Sequence, residues 1–345
     1  MTKAAKIRVL LVDDSAFTRK VLRESLAASD AIEVVGFARD GLDALEKIEA
    51  LSPDVITLDL VMPNLDGLGV LRALQTLPKP PAVVVVSTAE EEGEQGVAAL
   101  VGGAFDLVHK PTALALDDLY QLGNELVRKV IAAGESGRGP PSVAPKVLAA
   151  AAFGRAVGTS LVVMGASTGG PHAIHSLLHA LPAGFPAPIA IVLHLPAGYT
   201  DAFARRLDAE CALEVREAED GMPLRAGLVV VARGGLHMRV RTRNGGREVE
   251  LGREPTDSLH RPSVDSLFLS AAEHVGARTL GVVLTGMGDD GLVGSRAIHA
   301  AGGRVLTEAA SSCVVYGMPR CVFEDGIAYA EAPLERMAEL LLAHL

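Results

Sequence analysis

Short, nearly continuous apolar runs alternate with amphipathic helical stretches along almost all of this chain, and the alternation stops once. Residues 7–12, 34–38, 55–58, 82–86 and 105–108 read as strands, separated by helical patterns such as 16–28 and 41–51. Strands apolar on both faces need helices above and below, so the rhythm implies right-handed crossovers and a covered parallel sheet. The break is GESGRGPPSVAP at 134–145, where glycine and proline disfavour a packed element. Beyond it the rhythm resumes with runs at 160–164, 189–193, 228–232 and 280–284, interrupted by a polar hairpin pattern around Asn244-Gly245-Gly246. Two α/β domains are expected: a five-stranded parallel unit over 1–133, a linker over 134–157, and a larger doubly wound, mostly parallel unit over 158–345.

At 345 residues the chain has room for two cores, and a hydrophobic content of 49% excludes a disordered protein. The net charge of −10 disfavours a nucleic-acid binder. No apolar stretch reaches the ~18 to 20 residues of a spanning helix. The first residues are not followed by a secretory hydrophobic core, so a cytoplasmic protein without direct membrane insertion is expected. Cys211, Cys313 and Cys321 are an odd set without paired spacing, which suggests neither a disulfide framework nor a zinc site. Arg233, Arg239, Arg241, Arg243, Arg247 and Arg253 crowd one short segment. They read most simply as a solvated hairpin face, and more pointedly as a docking surface for an acidic protein.

In an open parallel sheet, functional groups collect outside the carboxyl ends of the strands. Asp13 and Asp14 follow the first run, Asp59 the third, Ser87 the fourth and Lys110 the fifth. Carboxylates gathered at one strand-end cleft repel one another and suit a hard divalent cation, for which Mg2+ is the natural choice, with Asp13, Asp14 and Asp59 as ligands. Asp59 can then attack a phosphoryl donor while Lys110 neutralises oxygen charge and Ser87 follows the new phosphate as a hydroxyl donor. On LLVDDS, LDLVMPNLDG, VVVVSTAE and HKP, residues 1 to about 125 resemble a response-regulator receiver domain. The resemblance implies a flavodoxin-like fold phosphorylated on Asp59 by a histidine kinase. Leu107 departs from the aromatic often found three residues before the lysine.

Downstream, Gly165-Ala166-Ser167-Thr168-Gly169 satisfies the small-residue pattern of a strand-to-helix turn that exposes a serine. Pro171 suits the first turn of the helix behind it. A structural or anion-binding glycine turn fits the same string, although the Gly-Lys-Ser/Thr ending of a P-loop is missing. Serine needs a base and the base an orienting group. His194 ends the run IAIVL, and Asp289 or Asp290, after TLGVVLT, can serve as the carboxylate. Residues 286–291 also match G-x-G-x-x-G, with Glu308 ending the next strand, which raises a dinucleotide site; the paired aspartates oppose a pyrophosphate there. His172, His175 and His179 share one helical face, as a metal site or a solvated surface.

Residues 158–345 resemble the catalytic domain of the CheB family of chemotaxis-type protein-glutamate methylesterases, on VVMGASTGGP, VLHLPAGYTDAFARRL, RPSVDSLFLSAAE, VVLTGMGDDG and SSCVVYGMPR. The resemblance implies Ser167 as nucleophile, His194 as general base and acid, and Asp290 as orienter. It further implies Met287 N–H as oxyanion donor, with Thr168 supporting His194. Implied substrates are glutamate γ-methyl esters and glutamines of methyl-accepting chemoreceptors, with no cofactor in the catalytic domain. Domain order suggests control by docking of the receiver on the catalytic face. A non-enzymatic, phosphorylation-controlled binding module and a general small-ester hydrolase are the alternatives.

Overall fold

In the computed structural model, which describes residues 5–87, 89–110, 116–136 and 158–345, every strand pair of the first unit runs parallel. Its elements are β1 (Ile7–Val12), α1 (Ala16–Leu26), β2 (Ile32–Ala38), α2 (Gly41–Leu51), β3 (Val55–Leu58), α3 (Gly67–Leu74), β4 (Ala82–Ser87), α4 (Ala89–Val101), β5 (Asp106–His109) and α5 (Leu116–Ser136). The strand order β2-β1-β3-β4-β5 puts the reversal of winding between β1 and β3. Polar side chains start the helices after β1, β2 and β3. Ser15, Asp40 and Asp66 accept the backbone N–H of Thr18, Asp43 and Gly69, satisfying donors that a helix start leaves free.

The second unit contains β6 (Leu161–Ala166), α6 (Gly170–His179), β7 (Ile189–Leu193), α7 (Thr200–Glu210), β8 (Glu214–Glu217), β9 (Leu228–Val231), β10 (His237–Arg243), β11 (Gly246–Gly252), α8 (Val264–His274), β12 (Thr279–Val283), α9 (Leu292–Ala300), β13 (Arg304–Glu308), α10 (Met318–Glu324), β14 (Ala330–Ala332) and α11 (Leu334–Leu342). Seven strands form a sheet in the order β14-β13-β12-β6-β7-β9-β8, and all its pairs are parallel. Strand β6 therefore lies between β7 and β12, and the chain winds away from it in both directions. Strands β6, β7, β9 and β12 are fully buried, as their continuous apolar runs require. Val264, Leu267 and Phe268 of α8 and Met238, Val240 and Val249 of the β10–β11 hairpin pack into the same core. Each such side chain contributes about 1.5–3 kcal/mol by leaving water.

The hairpin turns at Asn244 and Gly245, both at positive φ as a two-residue connection demands. Its register sets Arg241 opposite Glu248 and Arg239 opposite Glu250. Arg241 Nε lies 2.7 Å from Glu248 and Arg239 Nε 3.5 Å from Glu250. Cross-strand glutamates thus pair with Arg239, Arg241 and Arg243, which makes this part of the arginine cluster a charge-paired face.

The chain divides into two compact units, Met1–Pro141 and Ser142–Leu345. Helix α5 continues through Ser136, so the first residues expected in the linker complete its last turn. Residues 137–157 of that expected linker lie outside the described residues. No helix among the described residues is long and apolar enough to cross a membrane.

Candidate functional site

Strand ends of the first sheet bring together the acidic residues singled out in the sequence. Asp13 follows β1 and is buried, Asp59 follows β3 and is buried, and Asp14 is exposed beside them. One carboxylate oxygen from each lies within 4.8 Å of the others. Three hard oxygen donors of this kind fit a divalent cation such as Mg2+, and no other such group occurs among the described residues. Lys110 Nζ lies 2.6 Å from Asp59 Oδ2 and 2.8 Å from Asp13 Oδ2. Burial pushes the Asp59 carboxyl above its ordinary range; Lys110 opposes the rise and Asp13 adds to it. Burial would lower the Lys110 ammonium, but Asp59 and Asp13 outweigh it and raise it. Ser87 is the last residue of β4, fully buried, and its carbonyl accepts Lys110 N–H. Leu107, where an aromatic was the alternative, is buried in β5.

In the second unit, the register pairs Ala166 of β6 with Leu193 of β7. Ser167 and His194, the next residues, therefore leave adjacent strand ends side by side, and His194 N–H donates to Ala166 O at 3.2 Å. Ser167 is half-buried, and its N–H donates to Thr285 O at 3.0 Å, beyond the end of β12. The loop after β12 presses on the serine: a Cβ at Gly286 would lie 2.8 Å from Ser167 Cβ. Behind the serine, Gly169 caps α6 at φ 78, where a Cβ would lie 2.5 Å from Val314 Cβ, so the tight turn is open to glycine alone. Thr168 is buried, and its carbonyl accepts the Thr285 hydroxyl.

Of the two candidate carboxylates, Asp290 reaches the histidine. His194 Nε2 donates to Asp290 Oδ2 at 2.8 Å, whereas Asp289 is exposed. The His194 side chain is 7% exposed, and its Nδ1 is buried without a hydrogen-bond partner, so the Ser167–His194 hydrogen bond is open in this structure. The His260 ring stacks on His194 with centroids 4.0 Å apart and planes 16° from parallel. Asp290 also accepts Val264 N–H at 2.7 Å, Asp265 N–H at 2.9 Å and the Ser263 hydroxyl at 2.9 Å. Burial alone would raise its carboxyl, but the His194 hydrogen bond and charge, with these backbone donors at the start of α8, hold it down to about 2. Met287, half-buried, lies between the glycines at 286 and 288 in this loop.

Several participants were not singled out in the sequence. Asp265 Oδ1 accepts Gly291 N–H at 3.0 Å and Gly294 N–H at 2.7 Å. Burial pushes this carboxyl up to about 6, with Asp290 and Asp289 adding to the rise against those two donors. Buried His237 donates through Nε2 to Pro255 O, and its Nδ1 accepts Ser263 N–H. A cavity of about 540 Å³ opens beside Asp290, lined among others by His260, Ser263, Asp265, Leu269 and Asp289. Ser263 and Asp265 stand in the string RPSVDSLF, and a serine followed by a first-turn acid before an apolar run was a readable helix start.

The other motifs resolve differently. The start of α9 in the G-x-G-x-x-G loop is occupied by the Asp265 carboxylate, which overturns the dinucleotide alternative. Glu308 is buried and accepts Thr285 N–H at 2.8 Å, so it too faces the protein interior. His175 Nε2 pairs with Glu210 at 2.6 Å and His179 Nδ1 meets Glu210 O, while His172 is exposed.

Residues 162–341 match the family model of CheB methylesterase, and residues 9–121 that of the response regulator receiver domain. The chain is 59% identical over 347 residues to protein-glutamate methylesterase/protein-glutamine glutaminase 5 of Myxococcus xanthus (strain DK1622), covering 100% of both proteins. It is 44% identical to protein-glutamate methylesterase/protein-glutamine glutaminase of Symbiobacterium thermophilum, covering 97% of this chain and 96% of that protein. The crystal structure of the Thermotoga maritima CheB methylesterase catalytic domain superposes with a TM-score of 0.53 at 39% identity, over 55% of this chain and 100% of that one.

Proposed function

The chain belongs to the CheB methylesterase family and carries a response regulator receiver domain, and on that premise we propose that it hydrolyses glutamate γ-methyl esters, and deamidates glutamines, of chemoreceptors. Ser167, His194 and Asp290 carry the reaction, and phosphorylation of Asp59 by a histidine kinase regulates it. The observation that carries the proposal is the 2.8 Å contact of His194 with Asp290, made while His194 and Ser167 leave register-paired strand ends.

With Nε2 committed to Asp290, Nδ1 is the nitrogen left to take a proton. Ser167 Oγ attacks the ester carbonyl, His194 accepts the hydroxyl proton, and Met287 N–H stabilises the tetrahedral oxyanion. Collapse expels methanol, or ammonia from glutamine, with the proton returned by His194. Water activated by the same imidazole then attacks the acyl-enzyme and releases free glutamate. Thr168, at the buried base of the turn, supports His194.

In the receiver, Asp13, Asp14 and Asp59 would hold Mg2+, which when bound supplies charge neutralisation to the phosphoryl oxygens. Asp59 attacks phosphorus, Lys110 balances the added charge, and Ser87 donates to the new phosphate. Phosphorylation changes activity only through a difference in interaction free energy between an inhibited and an active state.

Methanol release from methylated receptor tests the proposal. Ser167→Ala is expected to lower the rate by on the order of 10^6 and to leave Asp59 phosphorylation intact. Retention of more than a few per cent of the esterase rate would reject the assignment.

A further inference from the structure

Helices α8 and α9 exchange carboxylates. The first N–H groups of a helix have no partner within it and present the positive end of its dipole, so each start needs an acceptor. At α8 the acceptor is Asp290, which takes Val264 N–H, Asp265 N–H and the hydroxyl of the capping Ser263. At α9 it is Asp265, whose Oδ1 takes Gly291 N–H and Gly294 N–H. Each helix is capped by an acidic side chain belonging to the other's start.

This exchange is anchored outside the loop. Ser263 N–H donates to His237 Nδ1 and the Ser266 hydroxyl lies 3.2 Å from the same nitrogen, fastening the first turn of α8 to β10. The helices also meet without clearance, since a Cβ on Gly294 would overlap Phe268 Cβ. Residues 286–291 are held at their beginning by Gly286 N–H on Val315 O and Met318 N–H on Gly286 O. Asp265 holds their end, and between these points lie Met287 and Asp290.

We infer that Asp265 is a positioning residue for hydrolysis: by accepting Gly291 N–H and Gly294 N–H it fixes the loop that carries both the orienting carboxylate and the oxyanion donor. The inference rests on the Ser167–His194–Asp290 reading. Its action passes through Asp290 and Met287. A displacement of about 1 Å at such groups costs on the order of 100-fold in rate, whereas binding of a large protein substrate is spread over a wider surface.

The test compares Asp265→Ala, Asp265→Asn, Asp265→Glu and Ser167→Ala in the full-length protein, by methanol release from methylated receptor, with thermal unfolding and Asp59 phosphorylation as checks of integrity. Alanine removes the acceptor and is expected to lower kcat 30- to 300-fold with KM within twofold. Asparagine keeps an oxygen at the same place and is expected to retain at least a third of kcat. Glutamate keeps the charge but displaces the oxygen, and is expected to lose at least tenfold. An alanine variant within threefold of wild type, or asparagine as inactive as alanine, overturns the inference. Should alanine fail to fold, the asparagine and glutamate variants decide: equal activity in those two overturns it. If Ser167→Ala stays active the triad reading fails, whereas an inactive Ser167→Ala beside a fully active Asp265→Ala defeats the positioning role alone.

Discussion

Replacing Asp290 by asparagine separates two ways in which an orienting carboxylate can matter. All four of its partners present hydrogens to it: His194 Nε2 and Val264 N–H at Oδ2, and Asp265 N–H and the Ser263 hydroxyl at Oδ1. An asparagine amide nitrogen cannot accept, so one backbone donor must face it in either orientation. With the nitrogen on the Oδ1 side, the Ser263 hydroxyl can turn to accept from it, and His194 keeps its proton on Nε2. With the nitrogen on the Oδ2 side, His194 must reverse its tautomer and lose Nδ1 as base. The first orientation wins, so the loss reflects missing charge. What is missing is the charge-assisted hydrogen bond to the imidazolium that forms as His194 takes up the serine proton, a contact of about 1.5–3 kcal/mol, or roughly 10- to 150-fold in rate. Methanol-release kinetics of Asp290→Asn at neutral pH are therefore expected to show kcat lowered roughly 10^2-fold, well short of the roughly 10^4-fold loss of a reversed tautomer. Exposed Asp289 supplies the control, and Asp289→Asn is expected to stay within about twofold, as surface substitutions usually do. A loss below fivefold or near 10^4-fold in Asp290→Asn, or an equal loss in Asp289→Asn, refutes the reasoning. The sign for stability follows from the depressed Asp290 value. The contribution is complete above about pH 3.8 and lost as pH falls through about 2, so at pH 7 the variant unfolds with about 2 kcal/mol less free energy.

Chelation of divalent cations is expected to abolish phosphorylation of Asp59 by a small-molecule phosphodonor and to leave the unphosphorylated esterase rate within twofold; phosphate incorporation and methanol release, read in parallel, check both. Burial pushes the Glu308 carboxyl above its ordinary range, against the Thr285 and Ser312 donors, so its ionisation opposes folding. Stability linked to it is present in acid and lost as pH rises through the raised value. Glu308→Gln, whose amide oxygen can still take Thr285 N–H, is expected to match or exceed the wild-type Tm at pH 8 and to show no advantage at pH 4. A lower Tm at pH 8, by scanning calorimetry, contradicts this.

The receiver was legible because its chemistry sits where apolar runs stop: Asp13, Asp59 and Lys110 each end or follow a strand, and a parallel sheet brings such ends to one edge. Ser167, His194 and Asp290 were legible for the same reason. Choosing Asp290 over Asp289 required either the family resemblance or the coordinates, since adjacent aspartates are equivalent in a string and distinguished only by which one turns toward α8. Asp265 and His237 were not read as parts of the site, because their partners lie across helix starts and a hairpin that no local pattern joins. Strand β8, EVRE, and the three-residue β14, AEA, escaped because each pairs on one side only. An edge strand needs no continuous apolar run. The arginine-rich hairpin was ambiguous until its register matched arginines to glutamates.

The central place of β6 has a consequence for synthesis. During translation β6 emerges before every other strand of its sheet, yet its neighbour on one side, β12, begins only at Thr279. A ribosome-bound chain stalled before that point holds Ser167 on an unpaired edge, with no acidic partner for His194. On the proposed triad, hydrolytic competence therefore arrives late, after most of the polypeptide has left the exit tunnel, and chains that end before Thr279 are expected to be inert toward esters.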